Sequence, residues 1–396
     1  MKFKILTKNL MIPFSRQFID KSDVKSVAHS LKSNFLTQGP KVQIFEKNIL
    51  KIVKAKYAVA TNSGSSALHI ACLSIGLKKG DIVWTVPNTF AASANCAINC
   101  GAKVDFVDID EKSWNIDIIE LEKKLKIAKN KKKLPKIVIP VHLAGLPSEQ
   151  KKIWMLSKKF KFKIIEDASH SLGANYLEQP VGSCKWSDIT IFSFHPTKII
   201  TTTEGGMALT NDKKLNEKMR MFATNGITKK FNLFKYKKNY KPWYYEQHFP
   251  GFNYRMSDVA AALGISQLKK LKKFVNKRNR IAKIYDKFLK VSAIKSQKIT
   301  SGCRSSFHLY IVRVNAHKSK ISHLKIFKKL RKNNIYVNLH YMPLHLNPFF
   351  KKLGFKKGQF PESEKYANEA ISLPIYYGLK ESKVKKICKD LIKYIS

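Results

Sequence analysis

The chain has 396 residues, 44% of them apolar and 26% charged, and its 24 Phe and 15 Tyr exclude a disordered polymer. Lys+Arg is 75 against Asp+Glu 27, a net charge of +48, but only eight of those cations are Arg and the lysines are spread along the whole chain. Nucleic-acid readers depend on the bidentate Arg fork, so the charge predicts a solvated Lys-rich surface, some non-specific polyanion binding at low salt and no specific nucleic-acid partner.

The N-terminal stretch MKFKILTKNLMIPF is too interrupted by Lys to read as a signal peptide, and Met11 is an alternative start. No run approaches ~18 uninterrupted apolar residues, so no membrane span is expected. From Tyr57 onward, short apolar runs alternate with helical spacing. The predicted elements are a strand over Tyr57–Thr61, a helix over Ser65–Gly76, a strand over Ile82–Val86, a helix over Phe90–Asn99 and a strand over Lys103–Asp108. A strand over Ile137–Val141, a helix over Ser148–Phe160 and a strand over Lys163–Asp167 follow. This alternation predicts an α/β fold with a mainly parallel sheet, whose functional groups gather at the carboxyl ends of the strands. Thr228–Pro250 lacks periodicity and reads as a loop. A single long helical pattern then runs from Met256 to Leu289, and the remainder mixes short strands (Leu309–Val314, Val337–His340) with Lys-rich amphipathic helices. The predicted organisation is a large domain over residues 1–258, then a connecting helix and a smaller α+β domain over 259–396. The six cysteines (Cys72, Cys96, Cys100, Cys184, Cys303, Cys388) form no CxxC and no zinc-spaced pairing with His. They predict reduced thiols in a cytoplasmic protein, and no metal.

Four segments carry chemistry. Asn62-Ser63-Gly64-Ser65-Ser66 joins a strand to a helix, and small residues at a helix N-terminus suit an anion because free N–H groups and the positive dipole end face it; an ordinary N-cap turn would look the same. Ile164-Ile165-Glu166-Asp167-Ala168-Ser169-His170 ends a strand with two carboxylates, where Asp167 can meet a cationic ring nitrogen or merely cap a turn. Phe192-Ser193-Phe194-His195-Pro196-Thr197-Lys198, followed by Thr201-Thr202-Thr203-Glu204-Gly205-Gly206, sets one Lys among apolar and hydroxyl residues. A sheltered Lys has a depressed pKa and attacks carbonyls, which is Schiff-base chemistry. Gly251-Phe252-Asn253-Tyr254-Arg255-Met256-Ser257-Asp258 opens the long helical pattern with aromatic and polar groups.

These four segments, in this order, resemble the DegT/DnrJ/EryC1/StrS sugar aminotransferases, and the likeness runs from Met11 to the C-terminus. The resemblance implies the fold type I architecture of pyridoxal-phosphate (PLP) enzymes, with the cofactor covalently held by Lys198, which also shuttles protons. It implies that Asp167 pairs with the pyridinium nitrogen, that His170 lies close to the ring, that Gly64 and Ser65 cradle the phosphate with help from Ser193, and that Phe90 stacks on the ring. Asn253 is implied to reach a neighbouring subunit's site, which makes the assembly a homodimer. Substrate contacts implied in the same way are Phe14 (where relatives often carry Tyr), Leu36, Thr37, Gln38, Gly39, Ser66, Ser193, Asn253, Asn338, Leu339, His340 and Tyr341. The stretches MIPFSRQFID, FLTQGPKVQIFE, PWYYEQ, GFNYRMSD, LHYMPLH and LPIYYGL resemble the branch of the family in pseudaminic acid biosynthesis. That branch aminates a UDP-4-keto-6-deoxy-N-acetylhexosamine to UDP-4-amino-4,6-dideoxy-N-acetyl-β-L-altrosamine, with glutamate as the usual donor. A 4-aminoarabinose or perosamine type would share the chemistry, and a silent polyanion-binding protein would share the charge. Family members that dehydrate at C3 carry His in place of the lysine, so Lys198 points away from them.

Overall fold

The computed structural model describes residues 11–315 and 318–395; most of the stretch read against a signal peptide lies outside them. Asp20 opens α1 (Lys21–Leu31) with a reciprocal capping box to Asp23, and Pro40 occupies the first turn of α2 (Pro40–Val53), where its missing N–H costs nothing. There follow β1 (Tyr57–Thr61), α3 (Gly64–Ser74), β2 (Ile82–Thr85), α4 (Ala92–Ile98), β3 (Lys103–Phe106), α5 (Ile118–Asn130), β4 (Ile137–Val138), α6 (Gln150–Phe160) and β5 (Lys163–Asp167). The short β6 (Asn175–Tyr176) and β7 (Gln179–Pro180) pair with each other, and β8 (Ile189–Ser193) and β9 (Gly206–Thr210) complete the central sheet. Its order is β1-β9-β8-β5-β4-β2-β3. Every neighbouring pair from β8 to β3 is parallel, and β9 alone runs antiparallel, between β1 and β8. The fold is the α/β architecture with a mainly parallel sheet that the alternation predicts.

After α7 (Lys213–Ala223), the segment read as a loop carries a two-residue ribbon, β10 (Ile227–Thr228) with β11 (Glu246–Gln247). The buried Glu246 carboxylate organises it by accepting hydrogen bonds from the backbone N–H groups of Lys235 and Tyr236 at 2.7 and 2.8 Å. The helix expected over 256–289 is two helices, α8 (Asp258–Leu268) and α9 (Leu271–Phe288). Their apolar spacing stays in register across the break, so periodicity alone does not reveal it. The break is held by Lys270, whose Nζ lies 2.7 Å from carboxylate oxygens of both Asp20 and Asp23. α8 packs on α1 and α2.

The C-terminal part contains β12 (Ile294–Ser296), β13 (Cys303–Arg304), β14 (Tyr310–Val314), α10 (His323–Lys332), α11 (Pro348–Lys352), α12 (Pro361–Glu369), β15 (Ala370–Leu373) and α13 (Glu381–Ile395). A three-stranded sheet, β12-β14-β15, backs a core that joins Tyr285 of α9 to Ile326, Leu330, Ile387 and Leu391. The strand expected over Val337–His340 is a single bridge, Asn338 to Ser372, because the chain then turns inward and carries His340 and Tyr341 toward the central sheet. The helix α5 was hidden by its lysines: only Leu121, Leu125 and Ala128 are buried. The expected strand over Ile137–Val141 pairs regularly only at its first two residues, while Val141 bridges Asp167.

Candidate active site

A cavity of about 370 Å³ opens at the carboxyl ends of the parallel strands. The β1–α3 turn brings Ser63, Gly64 and Ser65 to it. β5 brings Asp167 and the turn after it His170, β8 brings Ser193, and the following turn brings Lys198. Phe90, His340 and Tyr341 complete the wall among the expected residues. Ten positions from the segments singled out in sequence thus meet in one place, although Ser63 and Tyr341 are 278 residues apart in the chain.

Lys198 faces this cavity with no hydrogen-bond or ion-pair partner for its Nζ among the described residues. Its apolar surroundings, opposed by the Asp167 charge, lower its pKa to about 8. A larger fraction of the amine is therefore neutral, and nucleophilic, near physiological pH than for a solvated lysine. Asp167 is buried and firmly held. Ser93 Oγ donates to one carboxylate oxygen at 2.6 Å, and Ser169 donates to the other through Oγ at 2.6 Å and its backbone N–H at 3.1 Å. These donors keep the carboxylate aimed without neutralising it.

The histidines are held neutral. Burial pushes His170 well below the usual imidazole value, and the nearby Lys198 charge pushes the same way. Burial and the same cation lower His340 to about 4. His170 Nε2 lies 3.1 Å from the Tyr341 hydroxyl, and His340 Nδ1 lies 2.8 Å from Ser372 Oγ. At the anion end, Ser63 caps α3 through its Oγ, which accepts from Ser66 N–H at 3.1 Å, leaving Gly64 as the first helical residue at the cavity. A Cβ on Gly64 would stand 2.9 Å from Ser193 Cβ, so only glycine lets β8 and the helix terminus approach this closely.

Other expected residues lie elsewhere. Ser66 is turned into α3, where its hydroxyl donates to Asn62 Oδ1 at 2.7 Å. Phe14 stands behind the wall with its ring centroid 5.4 Å from that of His340. Asn338 folds its side chain onto Leu339 N–H at 2.9 Å, and Leu339 packs into a core cluster beneath the wall. Thr37 bridges Ser257, and Gly39 N–H donates to Asp258 at 2.8 Å, so Leu36, Thr37, Gln38 and Gly39 form a surface turn on the start of α8. Asn253 is exposed outside the cavity, bridged to Thr224. Sequence reasoning missed Ser93 and Ser169, the hydroxyls that aim Asp167. The visible signal for Ser93 is one hydroxyl within an otherwise Ala-rich turn, Ala91-Ala92-Ser93-Ala94. His195 and Glu204 also reach the rim, 4.0 Å apart. Among the described residues, no group of three or more His, Cys, Asp or Glu could hold a metal ion, and no helix is long and apolar enough to cross a membrane.

Residues 17–392 match the DegT/DnrJ/EryC1/StrS aminotransferase family, and the chain belongs to that family of PLP-dependent enzymes. It is 38% identical over 379 residues to the UDP-4-amino-4,6-dideoxy-N-acetyl-beta-L-altrosamine transaminase of Campylobacter jejuni, covering 95% of this chain and 96% of that protein. Among solved structures, Helicobacter pylori PseC, an aminotransferase involved in the biosynthesis of pseudoaminic acid, matches with a TM-score of 0.88 at 30% identity over 97% of this chain and 99% of its own. The putative sugar aminotransferase Spr1654 from Streptococcus pneumoniae, in its PLP form, matches with a TM-score of 0.86 at 27% identity over 98% of this chain and 100% of its own.

Proposed function

We propose that this chain transfers an amino group from glutamate to a UDP-4-keto-6-deoxy-N-acetylhexosamine, forming UDP-4-amino-4,6-dideoxy-N-acetyl-β-L-altrosamine for pseudaminic acid biosynthesis. The observation that carries the reading is the unpaired Lys198 amine in one cavity with the doubly supported Asp167 carboxylate and the glycine-opened N-terminus of α3. That set matches the three polar features of PLP: an aldehyde, a ring nitrogen and a phosphate. When bound, the cofactor supplies an electrophilic aldehyde and a cationic ring that withdraws electrons from the reacting carbon. Lys198 is the residue that would hold the aldehyde covalently. The Asp167 carboxylate would face the ring nitrogen, and Gly64, Ser65 and Ser193 would receive the phosphate at the positive helix end. Phe90 would offer an aromatic face, and His170, bonded to Tyr341 and held neutral by burial, would border the ring without adding a competing positive charge. With its amine free, Lys198 Nζ would be the base for the proton at the donor Cα and the acid for the proton delivered at the sugar C4.

The sugar identity rests on the Campylobacter and Helicobacter similarities. Its test is incubation with a panel of UDP- and dTDP-4-keto sugars plus glutamate, scored by product mass and C4 stereochemistry. Selective turnover of an arabinose or perosamine precursor instead would reassign the substrate. We read the enzyme as cytoplasmic, which the absence of a membrane-crossing helix among the described residues supports. We assign residues 1–258 to the cofactor-binding unit and 259–396 to the connecting helices α8 and α9 and the smaller unit.

We read the assembly as a homodimer, a reading that the exposed position of Asn253 supports. It is exposed on its own chain, within a segment bonded beside the anion turn through Asn62 N–H to Tyr254 O at 2.8 Å. In this reading it completes the partner's site. Mixing a Lys198→Ala chain with an Asn253→Ala chain then restores activity toward about a quarter of wild-type sites, since half of randomly exchanged dimers are mixed and one of their two sites carries neither defect. No recovery despite verified subunit exchange would return Asn253 to its own chain.

The +48 charge predicts a salt effect on capture alone. The diphosphate of the substrate is drawn by the cationic field, so kcat/KM falls severalfold from low to physiological salt while kcat hardly changes. A matching fall in kcat would place the salt-sensitive step after binding.

A further inference from the structure

Two unfavourable features meet behind His170, in a segment that the mechanism above does not use. Phe307 holds a left-handed backbone, at φ 47°, which a bulky side chain rarely adopts. Arg278 of α9 is buried with no carboxylate partner among the described residues, and burial lowers its pKa to about 10. Its Nη1 donates to three carbonyl oxygens, those of Phe307 at 3.2 Å, His308 at 2.9 Å and Ile375 at 3.0 Å. The next residue of α9, Asn279, donates through Nδ2 to Ser305 O at 3.1 Å. An unpaired buried cation and a strained backbone each cost stability, and here the one holds the other in place.

The turn so held bears directly on His170. Ser306 Oγ donates to the His170 carbonyl oxygen at 2.8 Å, and Ser306 N–H donates to Gly145 O at 3.1 Å. Gly145, at φ 97°, admits no side chain: a Cβ there would stand 2.4 Å from Ser306 Oγ and 3.0 Å from His308 N. The His308 ring lies against the His170 ring, with centroids 4.3 Å apart and planes inclined by 42°. Both rings are buried, and each leaves its Nδ1 without a hydrogen-bond partner. The contact between them is therefore packing and not a proton relay. The His170 ring is tied at Nε2 alone, by the Tyr341 hydroxyl at 3.1 Å, so packing has to fix its plane.

We infer that Arg278 and His308 are positioning residues for transamination: Arg278 fixes the strained turn at Phe307, and the turn sets His308 against His170, so that His170 and the Tyr341 hydroxyl keep one orientation at the cavity. The inference rests on the aminotransferase reading of that cavity.

The test compares variants with the wild-type holoenzyme through kcat, the KM for the keto sugar and the visible circular dichroism of the bound cofactor, which reports how the ring is held. His308→Ala should lower kcat about tenfold with KM within about twofold, because a small misplacement at a reacting centre is costly while uniform binding is retained. The visible dichroism should fall with kcat while the cofactor absorbance stays. His308→Phe, which keeps a flat ring and loses both nitrogens, should restore kcat and dichroism to within about twofold of wild type. Arg278→Lys keeps the buried cation and loses the fork that spans three carbonyls. It should show the same losses, and it carries the test if His308→Ala does not fold. The double variant should lose little more than either single one, since both act through one support.

Unchanged kcat and dichroism in folded His308→Ala or Arg278→Lys, even with a lowered thermal midpoint, would make the support structural only and overturn the proposal. Failure of a folded His308→Phe to recover would overturn it in favour of a role for the ring nitrogens, and additive losses would separate the two residues. A wild type that binds the cofactor but aminates no keto sugar overturns the aminotransferase reading instead, and the dichroism comparison still decides the positioning.

Discussion

Lys198→Ala is expected to lower turnover by ~10⁴-fold or more, since the substitution removes both the nucleophile that captures the cofactor and the base that moves the Cα proton. The visible absorbance of the lysine-bound cofactor should disappear with it. The fold should survive, and the reason is electrostatic. This amine faces the cavity with its pKa lowered to about 8, so in the folded protein its charged form is disfavoured relative to the unfolded chain. The native state then carries a penalty that is full below about pH 8 and relaxes as pH rises toward the unfolded value of 10.5. Removing the amine should leave the apoprotein's thermal midpoint unchanged or raised at neutral pH, with any difference shrinking above that window. Lys198→Arg, which keeps a charge and loses the nucleophile, should be equally inactive. Measurable transamination by either variant, confirmed by product mass, would remove Lys198 from the centre of the site.

Asp167→Asn is expected to have the next largest effect, slowing turnover by roughly 10²–10³-fold, because a carboxylate set against a ring nitrogen would shift that nitrogen's protonation by about 1–3 pKa units. The amide is nearly isosteric and can still accept from Ser93 or Ser169 through one oxygen. The carboxylate's surroundings at the end of β5 should therefore keep their shape. What is lost is the charge opposite the ring nitrogen, so the loss should fall on kcat and on cofactor affinity, with the sugar's binding little altered. Near-normal turnover in Asp167→Asn would mean that another group holds the ring nitrogen. A Ser93→Ala, Ser169→Ala pair gives an independent measure of how much of the effect comes from aiming the carboxylate.

The reading of the chain succeeded where one local property suffices. Buried parallel strands announce themselves as short apolar runs, so the strands ending in Thr61, Asp167 and the start of β3 were legible from composition alone. The lone Lys after SFHPT stood out because its neighbours are apolar and hydroxylic in a chain whose other lysines face water. Elements failed where the signal is not local. The turn at Lys269-Lys270 keeps the apolar stripe in phase, and the salt bridges that hold it come from Asp20 and Asp23, far away in sequence. The stretch ending at His340 alternates like a strand but finds a partner at one residue only.

By itself, then, the sequence determined the fold class and singled out Lys198, Asp167 and the Gly64 turn as candidates, because both depend on residue type and on nearest neighbours along the chain; the cofactor came from the family resemblance of those segments. Tertiary structure alone decided which of the other candidates share the cavity. It turned Ser66 into its own helix, set Asn338 and Leu36–Gly39 away from the lysine, left Asn253 outside, and recruited Ser93 and Ser169 to aim the carboxylate. The direction of a side chain and the company it keeps are set by packing between distant segments, and one-dimensional spacing does not record that packing.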